Sequence, residues 1–213
     1  MNIAKYIDHT NLKPFATEGD IEKLCREANE HNFASVCINP CYVPMAVELL
    51  KGSDVKVCTV IGFPLGANTN TVKAAETAEL YDLGCDEFDM VINIGALKDK
   101  KYDYVRNDIA AVVAAAKDRC VKVIIEAGLL TDEEIAIATR LSCEAGAHFV
   151  KTSTGVNTTG ATVDAVRIMK ANVSGGVKIK AAGGIKTAEF ARELIAVGAD
   201  RIGTSSGIEI AKK

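Results

Sequence analysis

AHFVKTSTG, at residues 147–155, is an apolar run that ends in a lysine and opens into a loop of small residues. VKIKAAGG, at residues 177–184, repeats this plan further along the chain. A lysine at the end of a hydrophobic strand is costly, because desolvation disfavours the ammonium form. The two stretches therefore predict buried strands whose carboxyl ends carry lysines with a chemical task, Lys151 and Lys180.

Short runs rich in Val and Ile alternate with helical patterns along the whole chain. Nearly continuous apolar strands are typical of a parallel sheet that helices cover. A Gly-Ala or Gly-Cys pair precedes several runs, which indicates one repeated βα unit. The predicted strands are residues 6–8, 33–38, 56–62, 87–92, 121–126, 148–151, 177–180 and 201–203.

Eight such units in succession predict an α/β protein, a single-domain (β/α)8 TIM barrel over residues 1–213. A doubly wound open sheet is the alternative. Among the helices, Thr131 to Glu134 form a predicted capping box. Another helix is predicted from Thr69 to Leu83, and its apolar side is assigned to Ala74, Ala75, Ala78 and Leu83.

The composition is that of an ordinary globular protein, with 48% hydrophobic and 25% charged residues and a formal net charge of −3. This balance gives no reason to expect nucleic acid or a membrane surface as a partner. Tryptophan is absent and aromatic residues make up 5%, so platforms for base stacking are not expected. The expected partners are small molecules.

The seven cysteines are odd in number, and none forms a CxxC pair. The first six residues contain no apolar signal region. Both observations predict free thiols in a reducing cytoplasm. Cys37 and Cys41 could form a metal-binding pair, but Pro40 lies between them and no histidine is near, so no metal is expected.

The active site of a TIM barrel lies at the carboxyl ends of its strands. There, Lys151 could simply pair with Asp89 or Glu126. A second lysine on the next strand, Lys180, favours a chemical role over a simple ion pair, because each ammonium disfavours the charged form of the other. A neutral lysine can attack a carbonyl and form a Schiff base. Lys178 has the same strand parity as Lys180, and the sequence leaves its direction open.

Two carboxylates in strand patterns have alternative interpretations. Asp89 is a paired structural charge, a proton relay, or the partner that keeps Lys180 protonated. Glu126 favours a supporting role. Asp8 and His9 could form a dyad, but adjacent residues on a strand face opposite sides, which argues against it.

The loops after the last two strands suggest an anion site. Residues 182–187 and 203–207 are rich in Gly, Ser and Thr, and they occupy the usual phosphate-binding position of these barrels. Glycine lets backbone N–H groups approach the anion, and serine adds hydroxyl donors. The sequence therefore predicts phosphate binding beside the lysines.

Taken together, these motifs resemble the deoxyribose-phosphate aldolase family of class I aldolases. The resemblance extends in order through essentially the whole chain. Its motifs are IDHT (7–10), VCI (36–38), GFPLG (62–66), DEFDMV (86–91), KTSTG (151–155), AGGI (182–185) and GTSS (203–206). The chain departs from the family pattern at Asn11, where Leu is common, and at residues 156–158, where Phe-Ser or Lys is usual.

The resemblance implies that Lys151 forms the Schiff base, and that Lys180 and Asp89 take part in proton transfer. It also implies substrate contacts from a set of polar and glycine residues. These are Gly155, Gly183, Gly184, Ser205 and Ser206 around the phosphate, with Thr154, Cys37 and Asp8 nearby. No step is assigned to Cys37. No cofactor is expected, because the lysine itself is the electron sink.

The expected reaction is reversible cleavage of 2-deoxy-D-ribose 5-phosphate to D-glyceraldehyde 3-phosphate and acetaldehyde, in deoxyribose catabolism. A homo-oligomer, a dimer or a tetramer, is expected. The alternatives are a transaldolase or sugar-phosphate isomerase, a non-catalytic sugar-phosphate binder and a pyridoxal-phosphate enzyme.

Overall fold

The computed structural model describes residues 3–212, so the first two residues and the last residue of the predicted domain lie outside it. Its eight parallel strands close into a barrel in the order β1 to β8, with β8 paired to β1. The predicted TIM barrel is thus confirmed. The strands are β1 Ile7–Asn11, β2 Ser35–Ile38, β3 Lys56–Ile61, β4 Glu87–Val91, β5 Cys120–Ile124, β6 Phe149–Lys151, β7 Lys178–Ala182 and β8 Arg201–Thr204.

Helices follow the strands and cover the outside of the sheet. Residues 3–212 contain nine α-helices, of which α2 and α4 are short and have no counterpart in the sequence prediction. No helix in this range is long and apolar enough to cross a membrane. The helices are α1 Glu18–Glu30, α2 Val43–Leu49, α3 Asn70–Asp82, α4 Ile94–Lys98, α5 Tyr102–Ala116, α6 Asp132–Glu144, α7 Val163–Asn172, α8 Ala188–Ala196 and α9 Gly207–Ala211.

Side-chain caps fix where six of the nine described helices begin. The predicted capping box before α6 is confirmed, since Thr131 accepts from the Glu134 N–H and Glu134 accepts from the Thr131 N–H. Thr17 and Asp20 form a second box at the start of α1. Each box satisfies N–H groups that have no partner inside the helix. The two boxes therefore define the residues at which α1 and α6 begin.

Two different interiors result from the alternation of side chains along each strand. One face of every strand packs against the helices and forms the main hydrophobic core. The other face points into the barrel, where a small apolar cluster of Cys37, Cys58 and Val60 adjoins buried charged residues. The inside of the barrel is therefore polar, and only the outer layer is a conventional core.

The side chains of Lys178 and Lys180 lie on the same face of β7 but at different depths in the barrel. β7 pairs Lys178 with Phe149 and Lys180 with Lys151, so all four residues share one parity. Lys178 is exposed and its Nζ lies 5.9 Å from the centre of the Phe149 ring, whereas Lys180 is fully buried. No bulge is needed, because Lys178 sits at the amino end of the strand and Lys180 lies one step deeper.

Helix α3 packs with a different face from the predicted one. Leu83 is 40% exposed, whereas Lys73, Thr77 and Leu80 are buried. The Lys73 Nζ donates to Asp108 Oδ2 on α5 at 2.5 Å and to the Val91 carbonyl at 2.8 Å. The predicted Ala74, Ala75, Ala78 and Leu83 face is therefore wrong, because a buried ion pair takes the place of an apolar stripe.

The Lys73–Asp108 pair predicts a specific pattern of stability. Asp108→Ala leaves a buried ammonium without its anion and should lower the free energy of unfolding by about 3–5 kcal/mol. Replacing both partners, by Lys73→Met with Asp108→Leu, should recover most of this loss. Ala75→Ser, on the exposed side, should change it by less than about 0.5 kcal/mol. Urea unfolding measures all three, and an equal loss in Ala75→Ser would contradict the assigned face.

Candidate active site

A cavity of about 390 Å³ opens at the carboxyl ends of β1, β6, β7 and β8. Six of the predicted site residues line it, and so do two further lysines, Lys13 and Lys186. The six predicted residues are Lys151, Thr154, Gly155, Gly183, Gly184 and Ser205. The closed barrel has thus brought together side chains and loops that are far apart in the sequence.

Asp89 links the two predicted lysines beneath this cavity. Its Oδ2 lies 2.8 Å from the Lys151 Nζ and 2.7 Å from the Lys180 Nζ. Asp89 and Lys180 are fully buried, and Lys151 is 2% exposed. Lys151 is therefore the member of the trio that reaches the cavity, while Asp89 and Lys180 lie behind it.

Lys122 is a fourth member of this site that the sequence analysis missed. It is fully buried on β5, in direct register with Asp89 on β4. Its Nζ lies 2.6 Å from Glu87 Oε2, 2.8 Å from Asp89 Oδ1 and 3.2 Å from the Cys58 Sγ. The available signal was the lysine itself, since it interrupts the apolar run VKVII of a predicted buried strand.

Seven charged groups form one network inside the barrel. Three are carboxylates and four are bases, and every base lies within 4.0 Å of at least one carboxylate oxygen. The carboxylates are Asp8, Glu87 and Asp89, and the bases are Lys122, Lys151, Lys180 and Arg201.

The network fixes the protonation of its central groups. Burial raises the pKa of Asp89, but the attraction of Lys122, Lys151 and Lys180 outweighs it and holds the pKa well below the ordinary value. Burial lowers the pKa of Lys180, but Asp8 and Asp89 outweigh it and raise the pKa above its ordinary value. The pKa of Lys122 is raised well above its ordinary value, because Asp89 and neighbouring groups outweigh the effect of its burial. Asp89 is therefore an anion between ammonium groups.

Asp8 supports the site from below and does not line the cavity. Its Oδ2 lies 2.5 Å from the Lys180 Nζ, and its Oδ1 lies 2.6 Å from the Arg201 Nη1. His9 faces the other side of β1, where its Nε2 lies 2.9 Å from Glu27 Oε2. The sequence argument against an Asp8–His9 dyad agrees with this arrangement.

Cys37 is also buried behind the cavity. Its Sγ lies 4.0 Å from Asp89 Oδ2, and the ligand atoms of Cys37, Cys58 and Asp89 all lie within 4.8 Å of one another. Such a set has donor atoms for a metal ion. However, the ammonium groups of Lys122 and Lys180 already contact the Asp89 carboxylate, and they would repel a divalent cation.

Glycines allow the loops after β6 and β7 to pack backbone against backbone. Gly155, Gly160 and Gly183 all have positive φ angles, and a Cβ on Gly183 would lie 2.8 Å from the Gly160 Cα. The Ala161 N–H donates to the Gly183 carbonyl at 3.0 Å. Larger residues at these positions would push the two loops apart, so the glycines set the width of the cavity.

Ser205 and Ser206 differ in their placement. Ser205 is exposed and lines the cavity, whereas Ser206 is half-buried and is not among the lining residues. The Ser206 N–H donates to Thr204 Oγ1 at 2.9 Å, and Thr204 Oγ1 donates to the Ile185 carbonyl. These bonds tie the loop after β8 to the loop after β7.

Known proteins of similar sequence have names that agree with one another. The model of the DeoC/LacD aldolase family matches residues 2–213. A deoxyribose-phosphate aldolase of Bdellovibrio bacteriovorus is 58% identical over 210 residues, which cover 99% of this chain and 96% of that protein. One of Dictyoglomus turgidum is 58% identical over 208 residues, covering 98% and 95% respectively.

Solved structures show the same relationship. The structure described as a putative deoxyribose-phosphate aldolase from Coccidioides immitis superposes with a TM-score of 0.97 at 42% identity, covering 99% of this chain and 85% of that one. A deoxyribose phosphate aldolase from Aeropyrum pernix, described as a tetramer, superposes with a TM-score of 0.92 at 36% identity, covering 99% and 89%.

The buried network predicts how stability depends on pH. Burial raises the pKa of Asp8, but Lys180 and Arg201 outweigh it and hold the pKa below its ordinary value of 3.8. The stability that ionised Asp8 contributes is thus present above that value and is lost as the pH falls towards the folded-state pKa. Asp8→Asn should lower the free energy of unfolding by about 3–5 kcal/mol at pH 7.

This difference should shrink by about 1 kcal/mol at pH 3, because the unfolded wild-type chain then gains a proton that the folded chain does not. Urea unfolding at pH 7, 5 and 3 measures it. Asp164→Asn is the matched control, since that side chain is 87% exposed. A difference that is as large at pH 3 as at pH 7 would contradict the assignment.

Proposed function

The chain belongs to the DeoC/LacD family of aldolases, and we propose that it reversibly cleaves 2-deoxy-D-ribose 5-phosphate to D-glyceraldehyde 3-phosphate and acetaldehyde. The observation that carries this proposal is the position of Lys151. Lys151 lines the cavity, and its amine lies 2.8 Å from a carboxylate that also contacts Lys180.

Charge balance favours Lys151 as the nucleophile. With all four bases protonated, four positive charges face three negative ones. Neutral Lys151 leaves three of each. Among the described residues, Lys151 forms an ion pair only with Asp89, whereas Lys180 and Arg201 each pair with two carboxylates and Lys122 with three. Lys151 is therefore the base whose charge the network needs least.

The proposed reaction begins with attack of the neutral Lys151 amine on the C1 aldehyde of the open-chain sugar. Loss of water gives a protonated imine. The C2–C3 bond then breaks, because C2 is attached to the imine carbon and the electrons of this bond can flow into the imine. The C3–C4 bond is one carbon too far away for this. The C3 hydroxyl gives up its proton as C3 becomes the aldehyde of glyceraldehyde 3-phosphate.

The electron pair of the broken bond remains on C2 as an enamine of Lys151. Protonation at C2 restores an imine, and hydrolysis of this imine releases acetaldehyde and the free lysine. We assign the proton transfers to Asp89 and Lys180, because Asp89 Oδ2 bridges the Lys151 and Lys180 amines. Lys122 holds the other Asp89 oxygen and keeps the carboxylate fixed and ionised. The lysine acts as the electron sink, so the proposal assigns no cofactor.

We place the phosphate of the substrate against the loops after β6, β7 and β8, which also line the cavity. Gly155, Gly183, Gly184 and Ser205 present backbone and hydroxyl groups there. Lys13 and Lys186 are further lining residues, and none of the lining residues within 3–212 is acidic. A phosphate dianion would thus meet donors and positive charge without a facing carboxylate.

We also propose that the protein forms a homo-oligomer in the cytoplasm. The tetrameric description of the Aeropyrum pernix relative supports an oligomer. Exposed Leu49, Leu65 and Val72 provide apolar surface that a second subunit could cover. All seven cysteines are free thiols, as is typical of a reducing compartment.

Trapping of the imine tests the proposed mechanism. Reduction with borohydride in the presence of acetaldehyde should add a two-carbon group to Lys151, because hydride converts the imine into a stable secondary amine. Intact mass and peptide mapping measure the adduct. Lys151→Met should abolish it and lower kcat by about 10⁴-fold or more.

Lys178→Met is the matched control, because Lys178 lies at the opposite end of the barrel and should leave both adduct and activity unchanged. An isomerase or a non-catalytic binder would form no adduct and release no acetaldehyde. An adduct that persists in Lys151→Met would overturn the assignment of the nucleophile.

A further inference from the structure

Glu126 is a second buried carboxylate near the cavity, and the proposed reaction does not use it. It lies two residues beyond the end of β5, is fully buried, and has a left-handed backbone with φ of 53°. This conformation is strained for a residue with a side chain. Within residues 3–212 no lysine, arginine or histidine forms an ion pair with Glu126, unlike Asp89.

Neutral donors of a single loop surround the Glu126 carboxylate. Its Oε2 accepts from Thr154 Oγ1 at 2.5 Å and from Asn157 Nδ2 at 3.3 Å. Its Oε1 accepts from the Thr154 N–H at 3.2 Å and from Thr158 Oγ1 at 3.1 Å. The carboxylate therefore fixes both ends of the segment 154–158, which we call the acceptor loop.

The charge of Glu126 also fixes the direction of the hydrogen bonds within the acceptor loop. A carboxylate only accepts, so the Thr154 hydroxyl must donate its one proton to it. The lone pairs of Thr154 Oγ1 are then free to accept from the Val156 N–H at 3.1 Å and the Asn157 N–H at 3.4 Å. One buried anion thus sets the conformation of the whole turn.

This turn forms a wall of the cavity. Thr154, Gly155 and Val156 line it, whereas Glu126 does not. Asn157 joins the turn to the loop after β3, because its Nδ2 also donates to the Pro64 carbonyl at 3.0 Å. Glu126 therefore touches no substrate and acts only through the acceptor loop.

We infer that Glu126 is a positioning residue for the phosphate end of the substrate and sets the preference for phosphorylated over unphosphorylated sugars. This inference rests on the proposed function. Lys151 is held separately by Asp89, so the carbon–carbon cleavage itself does not require Glu126. The placement of the Gly155 and Val156 backbone against a phosphate does require it.

Glu126→Gln tests the inference, because it keeps the size of the side chain but replaces one accepting oxygen with an NH2 group. This group faces donors of the acceptor loop and cannot accept from them. The KM for 2-deoxy-D-ribose 5-phosphate should rise about tenfold. The kcat/KM for 2-deoxy-D-ribose, which has no phosphate, should stay within about twofold. Steady-state release of acetaldehyde from each sugar measures both.

Asp86→Asn is the matched control. Asp86 is a partly buried carboxylate that, like Glu126, accepts a hydrogen bond from a backbone N–H, in this case that of Val57 at 3.0 Å. It precedes β4, at the opposite end of the barrel. Asp86→Asn should leave the ratio of kcat/KM for 2-deoxy-D-ribose 5-phosphate to that for 2-deoxy-D-ribose unchanged. Thr158→Ala removes one donor at a half-buried position. Like Glu126→Gln, it should lower the ratio of kcat/KM for 2-deoxy-D-ribose 5-phosphate to that for 2-deoxy-D-ribose. It therefore also serves as the test if Glu126→Gln does not fold.

The outcomes separate the two proposals. A wild-type protein that releases acetaldehyde from neither sugar overturns the proposed function, and the inference with it. An active wild-type protein whose Glu126→Gln and Thr158→Ala variants keep the wild-type ratio overturns the inference alone. An equal loss with both sugars would also overturn it, since it would show a general structural role.

Discussion

The charges inside the barrel have to cancel, and most features of the site follow from this constraint. Seven ionisable groups meet where little water can screen them, so an unbalanced charge would be costly. Three carboxylates balance three of the four bases. The remaining base, Lys151, pairs only with Asp89, which also pairs with Lys122 and Lys180. The same set of contacts thus balances the buried charges and holds the Lys151 amine in place.

Register and closure decide which groups meet. β4 and β5 place Asp89 directly beside Lys122, and β6 and β7 place Lys151 beside Lys180. Asp8 reaches Lys180 only because β8 pairs with both β7 and β1. An open sheet with the same strands would leave Asp8 at an edge, far from Lys180. The closed topology is therefore a condition for the charge balance as well as for the shape of the cavity.

The sequence predicted the parts of this arrangement that depend on local pattern. The Val- and Ile-rich runs gave the strands, and the lysines at their ends pointed to the cavity. The sequence analysis missed Lys122 because its role depends on Asp89, its neighbour in the register of β4 and β5. Hydrophobic periodicity does not reveal such a neighbour. The buried face of α3 was missed for a similar reason: Lys73 is polar in the sequence, and its partner Asp108 lies on another helix. The depth of Asp8 likewise required the closed barrel.

We assign different tasks to Asp89 and Glu126, although the two side chains carry the same functional group. Both are fully buried carboxylates near the carboxyl ends of neighbouring strands. Asp89 contacts the amines of Lys122, Lys151 and Lys180, and we assign it to the path along which protons move. Glu126 is surrounded by hydroxyl and amide donors, which hold a loop but offer no exchange of charge. In these two proposals the same functional group serves chemistry in one setting and recognition in the other, and the neighbours of each carboxylate account for the difference.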